Sequence, residues 1–105
     1  MNLAISAKRL AGLGHEHRLE LFQLLVRAGD GGMTIGELQS VLGRPASTLA
    51  FHLRELVAAG LVTQQKEGRM VRCRANYKAL DEVLEFVKQD CCKGIALPAF
   101  GAQQE

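Results

Sequence analysis

Residues 45–74 read PASTLAFHLRELVAAGLVTQQKEGRMVRCR, and this stretch decides the fold. Pro45 suits the first turn of a helix, because its missing N–H would be unpaired there anyway. At about 3.6 residues per turn, Leu49, Leu53, Leu56 and Val57 fall on one side, which must pack against a core. Gly60 closes the helix. Two strand-like runs follow, Leu61–Lys66 and Arg69–Arg74, around a Glu67-Gly68 turn, which is the pattern of a β-hairpin. In the second run Arg72 and Arg74 take one face, while Val71, Cys73 and Ala75 take the other, so Cys73 is expected to point inward.

Upstream, a short helix fits Ile5–Leu13 and ends near Gly14. A second, about Glu16–Ala28, carries Leu19, Phe22, Leu25 and Val26 at helical spacing. Gly29 caps it and GDGG (29–32) is a loop. Thr34-Ile35-Gly36-Glu37 has the form of a capping box opening a third helix with Ile35, Leu38 and Leu42 on its apolar face. Gly43-Arg44-Pro45 stops that helix. Downstream, Ala79 to about Cys92 reads as a last helix with a stripe of Leu80, Val83, Leu84 and Val87. Two helices across a tight turn and then a hairpin make a winged helix-turn-helix, a mainly α fold with about five helices and a β-hairpin wing. Residues 1–93 are expected to form one DNA-binding and dimerisation domain, with 94–105 a mobile tail of small residues and proline.

A chain of 105 residues allows one domain with a thin core, and 48% apolar with 23% charged residues argues against disorder. No apolar run is long enough for a membrane span, and MNLAISAKRLAGL has no signal-peptide pattern, so the expected location is the cytoplasm and no membrane partner is expected. The net charge is only +2 but uneven. Between Thr34 and Lys78, Arg44, Arg54, Lys66, Arg69, Arg72, Arg74 and Lys78 face only Glu37, Glu55 and Glu67 as acids. A basic middle suggests a polyanion partner.

That partner fits the helix at 45–59. Opposite its packed side stand Ser47, Phe51 and Arg54, with Thr48 and Ala50 on the flanks. Hydroxyls can meet phosphates or base edges, arginine can pair with guanine, and an aromatic edge can meet a thymine methyl. Arg44, Ser47, Thr48, Phe51, His52, Arg54, Arg69 and Arg72 are therefore the candidate DNA-binding residues, with His52 nearer the packed edge as a packing or phosphate-contacting group rather than a metal ligand. A domain this small reads specific double-stranded DNA best as a dimer on an inverted repeat. The stripe of Leu80, Val83, Leu84 and Val87 suits a partner helix, although the same stripe could serve the core of one subunit.

These segments carry a resemblance. Leu13–Leu25 (LGHEHRLELFQLL), Ser47–Leu56 (STLAFHLREL) with Ala59-Gly60-Leu61-Val62, and Glu67–Val71 (EGRMV) resemble the early helices, recognition helix and wing of the ArsR/SmtB family of metal-responsive repressors. The likeness covers about residues 8 to 92. It implies a homodimer formed by the first and last helices.

The cysteines are the remaining chemistry. Cys91 lies four residues after Val87 and continues the stripe, while Cys92 points about 100° further round. Adjacent thiols can chelate one soft centre, whereas a direct disulfide between them would close a small, strained ring. Cys73 is the third candidate ligand, or else an inert core residue. Three sulfurs suit arsenite or antimonite, and two, Cys73 with one of the pair, suit methylarsenite. Lys88 and Lys93 favour thiolate, and the helix C-terminus opposes it. Other sites of the family find no match. The third helix has no thiol, and the last has Asp81 but no histidine. His15 and His17 read as surface or capping residues. Arsenic-responsive members with adjacent cysteines commonly carry another shortly after. This chain has Leu97-Pro98-Ala99-Phe100, which shifts weight to Cys73.

The function expected is a repressor, with no obligatory cofactor, that leaves its operator when a trivalent arsenical binds cysteine thiolates. Rivals are the same repressor sensing oxidants or reactive sulfur, and a soft-metal carrier with no DNA role. No triad spacing, phosphate loop or paired carboxylates suggests an enzyme.

Overall fold

The computed structural model describes residues 1–98. Five helices, α1 (Leu3–Leu13), α2 (Glu16–Ala28), α3 (Ile35–Leu42), α4 (Ala46–Ala58) and α5 (Tyr77–Lys88), surround a small sheet of β1 (Met33–Thr34), β2 (Val62–Glu67) and β3 (Met70–Ala75). The fold is a winged helix-turn-helix, with α3 and α4 as the helix pair and β2–β3 as the wing. Among the described residues no helix is long and apolar enough to cross a membrane.

Local chemistry sets the boundaries. The Thr34 hydroxyl accepts the Glu37 N–H at 3.2 Å and the Glu37 carboxylate accepts the Thr34 N–H at 2.8 Å, so the capping box forms as read. That bond to the Thr34 backbone also holds the Glu37 carboxyl below its ordinary pKa. Gly43 ends α3 in the left-handed conformation. Arg18 donates to the Gly12 carbonyl at 2.8 Å, covering the C-terminal end of α1.

The core is a layer of Leu21, Phe22, Leu25, Leu38, Leu49, Leu53, Leu56 and Leu61, closed by Val62, Cys73 and Ala79. The buried stripe of α4 is Leu49, His52, Leu53 and Leu56. Val57, expected on that stripe, is 38% exposed, because the stripe is turned toward His52 instead.

Three further expectations change. The sheet has a third strand: β1 pairs antiparallel with β3 (Met33 opposite Cys73, Thr34 opposite Arg72), giving the order β1-β3-β2. Gly32 permits this, having φ of +64° and standing where a Cβ would come 2.3 Å from the Cys73 carbonyl oxygen. The last helix starts two residues early, on an Asn76 cap, and stops at Lys88. Asp90 and Cys92 both take positive φ, so Cys91 does not continue the stripe of α5. Beyond Lys93 the described tail is exposed coil, and the mobile-tail expectation for residues 99–105 lies outside the described residues.

Candidate nucleic-acid interface and thiol pair

The outer face of α4 carries the side chains expected to read DNA. Ser47 and Arg54 are exposed, Thr48 half-buried, and the Phe51 ring 48% exposed with no core role. Arg44, just before α4, forms an ion pair with Glu20 on α2, which holds its guanidinium beside the recognition helix. On the wing, Lys66 and Arg69 are exposed.

Arg72 is differently placed. Its Nε lies 3.0 Å from both Glu67 carboxylate oxygens, and its Nη1 donates to the Gly31 carbonyl at 3.0 Å. Arg74 donates to the Asp30 carbonyl and to Gln65, each at 2.8 Å. Both arginines thus tie the wing to the loop before β1. Arg72 Nε and Nη1 are engaged by the protein's own acceptors, whereas Lys66 and Arg69 make no such bonds among the described residues.

His52 is 6% exposed and faces the start of α2, so it cannot contact a phosphate as an open group. Its ring centroid is 4.8 Å from that of His15 and 6.0 Å from that of His17. His15 does cap: its Nδ1 accepts the His17 N–H at 3.1 Å. Sequence spacing hid this grouping, since His52 lies far along the chain from the other two.

Cys73 is completely buried, as its strand face required, and Gln64 donates to its sulfur at 3.5 Å. Burial pushes the thiol pKa up, and the Gln64 bond only partly opposes this. Cys91 and Cys92 sit in the exposed turn after α5 with their sulfurs in contact. Lys93 pairs with Asp90 at 2.9 Å, so its charge is shared within that turn. Within one subunit the three cysteines do not come together: among the described residues the one cluster of three ligand-type side chains is His15, His17 and His52.

The stripe of α5 divides. Val83 is fully buried and Leu80 packs against the core, so these two serve the subunit itself. Leu84 and Val87 are 49% and 60% exposed, and with Leu10 of α1 they line a shallow apolar groove. Leu3 and Ile5 extend the apolar surface of α1.

Comparison with known proteins agrees with this layout. A helix-turn-helix domain family matches residues 13–65. An ArsR-like transcriptional regulator from Rhodococcus sp. RHA1 superposes with a TM-score of 0.72 at 30% identity, over 82% of this chain and 78% of that one. HlyU from Vibrio cholerae superposes with a TM-score of 0.66 at 27% identity, over 86% and 95%. A Halobacterium salinarum protein, assigned by name as the arsenical resistance operon repressor ArsR2, is 33% identical over 66 residues, which make up 63% of this chain and only 55% of that protein. With a helix-turn-helix match over half its length and a 30%-identical ArsR-like regulator superposing over 82% of it, the chain belongs to the ArsR/SmtB family of winged helix-turn-helix DNA-binding transcriptional regulators.

Proposed function

We propose that the protein is a dimeric repressor that leaves its operator when a trivalent arsenical binds Cys91 and Cys92. The observation that carries this reading is the exposed pair of adjacent cysteines set directly after α5, whose outer face bears Leu84 and Val87; the ligand takes the pair in its reduced, dithiol form. In the reaction two S–H bonds and two As–OH bonds break, two As–S bonds form, and two waters leave. Arsenite or antimonite keeps one hydroxyl and methylarsenite keeps its methyl group. The relative named for arsenical resistance supports the ligand class.

Cys73 enters only as a third ligand, and that would require β3 to open or a partner subunit to bring its thiol pair closer. Its raised pKa favours the neutral thiol, which is the poor ligand form. A ligand on the pair changes DNA affinity only by binding the released conformation better, so the turn after α5 must differ between the two states. The operator is an inverted repeat read by two copies of α4.

The test is fluorescence anisotropy on DNA from upstream of the gene, titrated with arsenite, methylarsenite, antimonite, zinc and a persulfide donor. Release by an arsenical that Cys91→Ser and Cys92→Ser abolish is the expected result, with Cys73→Ser separating two-sulfur from three-sulfur binding. DNA binding that ignores every arsenical would refute the reading, and release by persulfide alone would assign the pair to redox sensing.

A further inference from the structure

We propose that His15, His17 and His52 form a binding site for a divalent transition ion of the zinc class, joining the start of α2 to the recognition helix. One nitrogen from each ring lies within 4.8 Å of the others. Metal–nitrogen bonds of about 2.0–2.1 Å put the ligand atoms of one tetrahedral ion about 3.3 Å apart, so a small rotation of the exposed His15 closes the site.

A second observation points the same way. His52 is more than nine-tenths buried, at 6% exposure, and its Nδ1 has no hydrogen-bond partner among the described residues. Buried polar atoms are nearly always satisfied, and a ligated ion or its water would satisfy this one. Burial, and then the neighbouring His15, Arg18, His17 and Arg44, push the His52 pKa down, keeping the neutral imidazole that metals require. Arg18 and Arg44 weaken a cation's binding, but each is turned elsewhere, toward the Gly12 carbonyl and toward Glu20.

Three imidazoles with no thiolate suit borderline ions rather than arsenicals, and leave a fourth position for water. The site is therefore chemically distinct from the cysteine pair and does not rest on the arsenical reading. It is also coupled to the fold. An ion on His15 Nδ1 displaces the His17 N–H, and an ion on Nε2 leaves a proton on Nδ1, so either mode competes with the cap of α2. His52 directly follows Phe51 of the outer face, its ring centroid 5.5 Å from that of Phe51, so occupancy bears on the position of the DNA-reading face.

The test uses Co²⁺, displaced by Zn²⁺, on the full chain carrying Cys91→Ser and Cys92→Ser. Expected is one Co²⁺ per subunit with visible d–d bands and no thiolate charge-transfer band. His15→Asn keeps a capping acceptor and should weaken binding by more than about tenfold, as should His17→Gln. No d–d bands, or affinity unchanged in both histidine variants, would overturn the site. Neither result bears on arsenical binding, because the thiol pair is absent throughout.

Discussion

Phe51 stands 48% exposed on the face of α4 turned away from Leu49 and Leu53, and Arg54 lies on the same face. Removing either ring or guanidinium leaves the core untouched. Phe51→Ala and Arg54→Ala should therefore melt within about 0.5 kcal/mol of the parent. Each should lose about 1–3 kcal/mol of operator binding, roughly 5- to 150-fold, in anisotropy titrations. Unchanged DNA affinity would remove α4 as the reading element. On the other side of the helix His52 predicts a pH effect. Its folded pKa lies below the ordinary value of 6.5, so its contribution is present above pH 6.5 and is lost as the pH falls toward the folded value, because the unfolded chain then binds the extra proton. Melting curves should shift down through that window, and His52→Gln should blunt the shift. That the outward residues were legible, while His52 was left between packing and phosphate contact until its burial decided for packing, has a physical cause. A helical wheel shows which side is opposite the apolar stripe, but an imidazole is compatible with burial or exposure, and only the approach of α2 decides it.

At the scale of the element, the shortest-range signals were the readable ones. The capping box spans the four residues Thr34–Glu37 and forms as expected, because both partners lie in one turn. β1 was not readable: Met33 and Thr34 find their partners on β3, at Cys73 and Arg72, and two residues carry no alternation. The end of α5 misled for the opposite reason. Apolar spacing runs on to Cys91, but residues 89–98 are all exposed, so no packing surface holds the helix beyond Lys88. The β1–β3 junction makes a sharp prediction. Gly32→Ala adds a Cβ 2.3 Å from the Cys73 carbonyl oxygen and forces φ of +64° on an L residue. A loss of at least about 1–3 kcal/mol in denaturant melts is expected. Gly31→Ala, one residue earlier and with nothing within 4 Å of the added carbon, should be close to neutral. Equal effects from the two would mean that β1 does not depend on this close approach.

For the molecule as a whole, the unsettled surface is the groove of Leu10, Leu84 and Val87. Periodicity marked Leu80, Val83, Leu84 and Val87 as one stripe. It could not divide them, since a stripe facing the subunit's own core and a stripe facing a second subunit obey the same spacing. The fold divides them: Val83 is fully buried, whereas Leu84 and Val87 are half or more exposed. If α1 and α5 form the dimer, charge at the two kinds of position must act differently. Val83→Glu places a carboxylate in the core and should abolish cooperative melting. Leu84→Glu and Val87→Glu place it at the apolar surface, so each subunit should keep its circular dichroism while sedimentation shows the dimer giving way to monomer. Because a monomer reads one half-site, DNA affinity should fall together with the dimer and recover at high protein concentration. If Leu84→Glu and Val87→Glu sediment as the parent dimer, the subunits meet elsewhere. The turn carrying Cys91 and Cys92 would then have no interface to act on, and release of DNA by an arsenical would need another route.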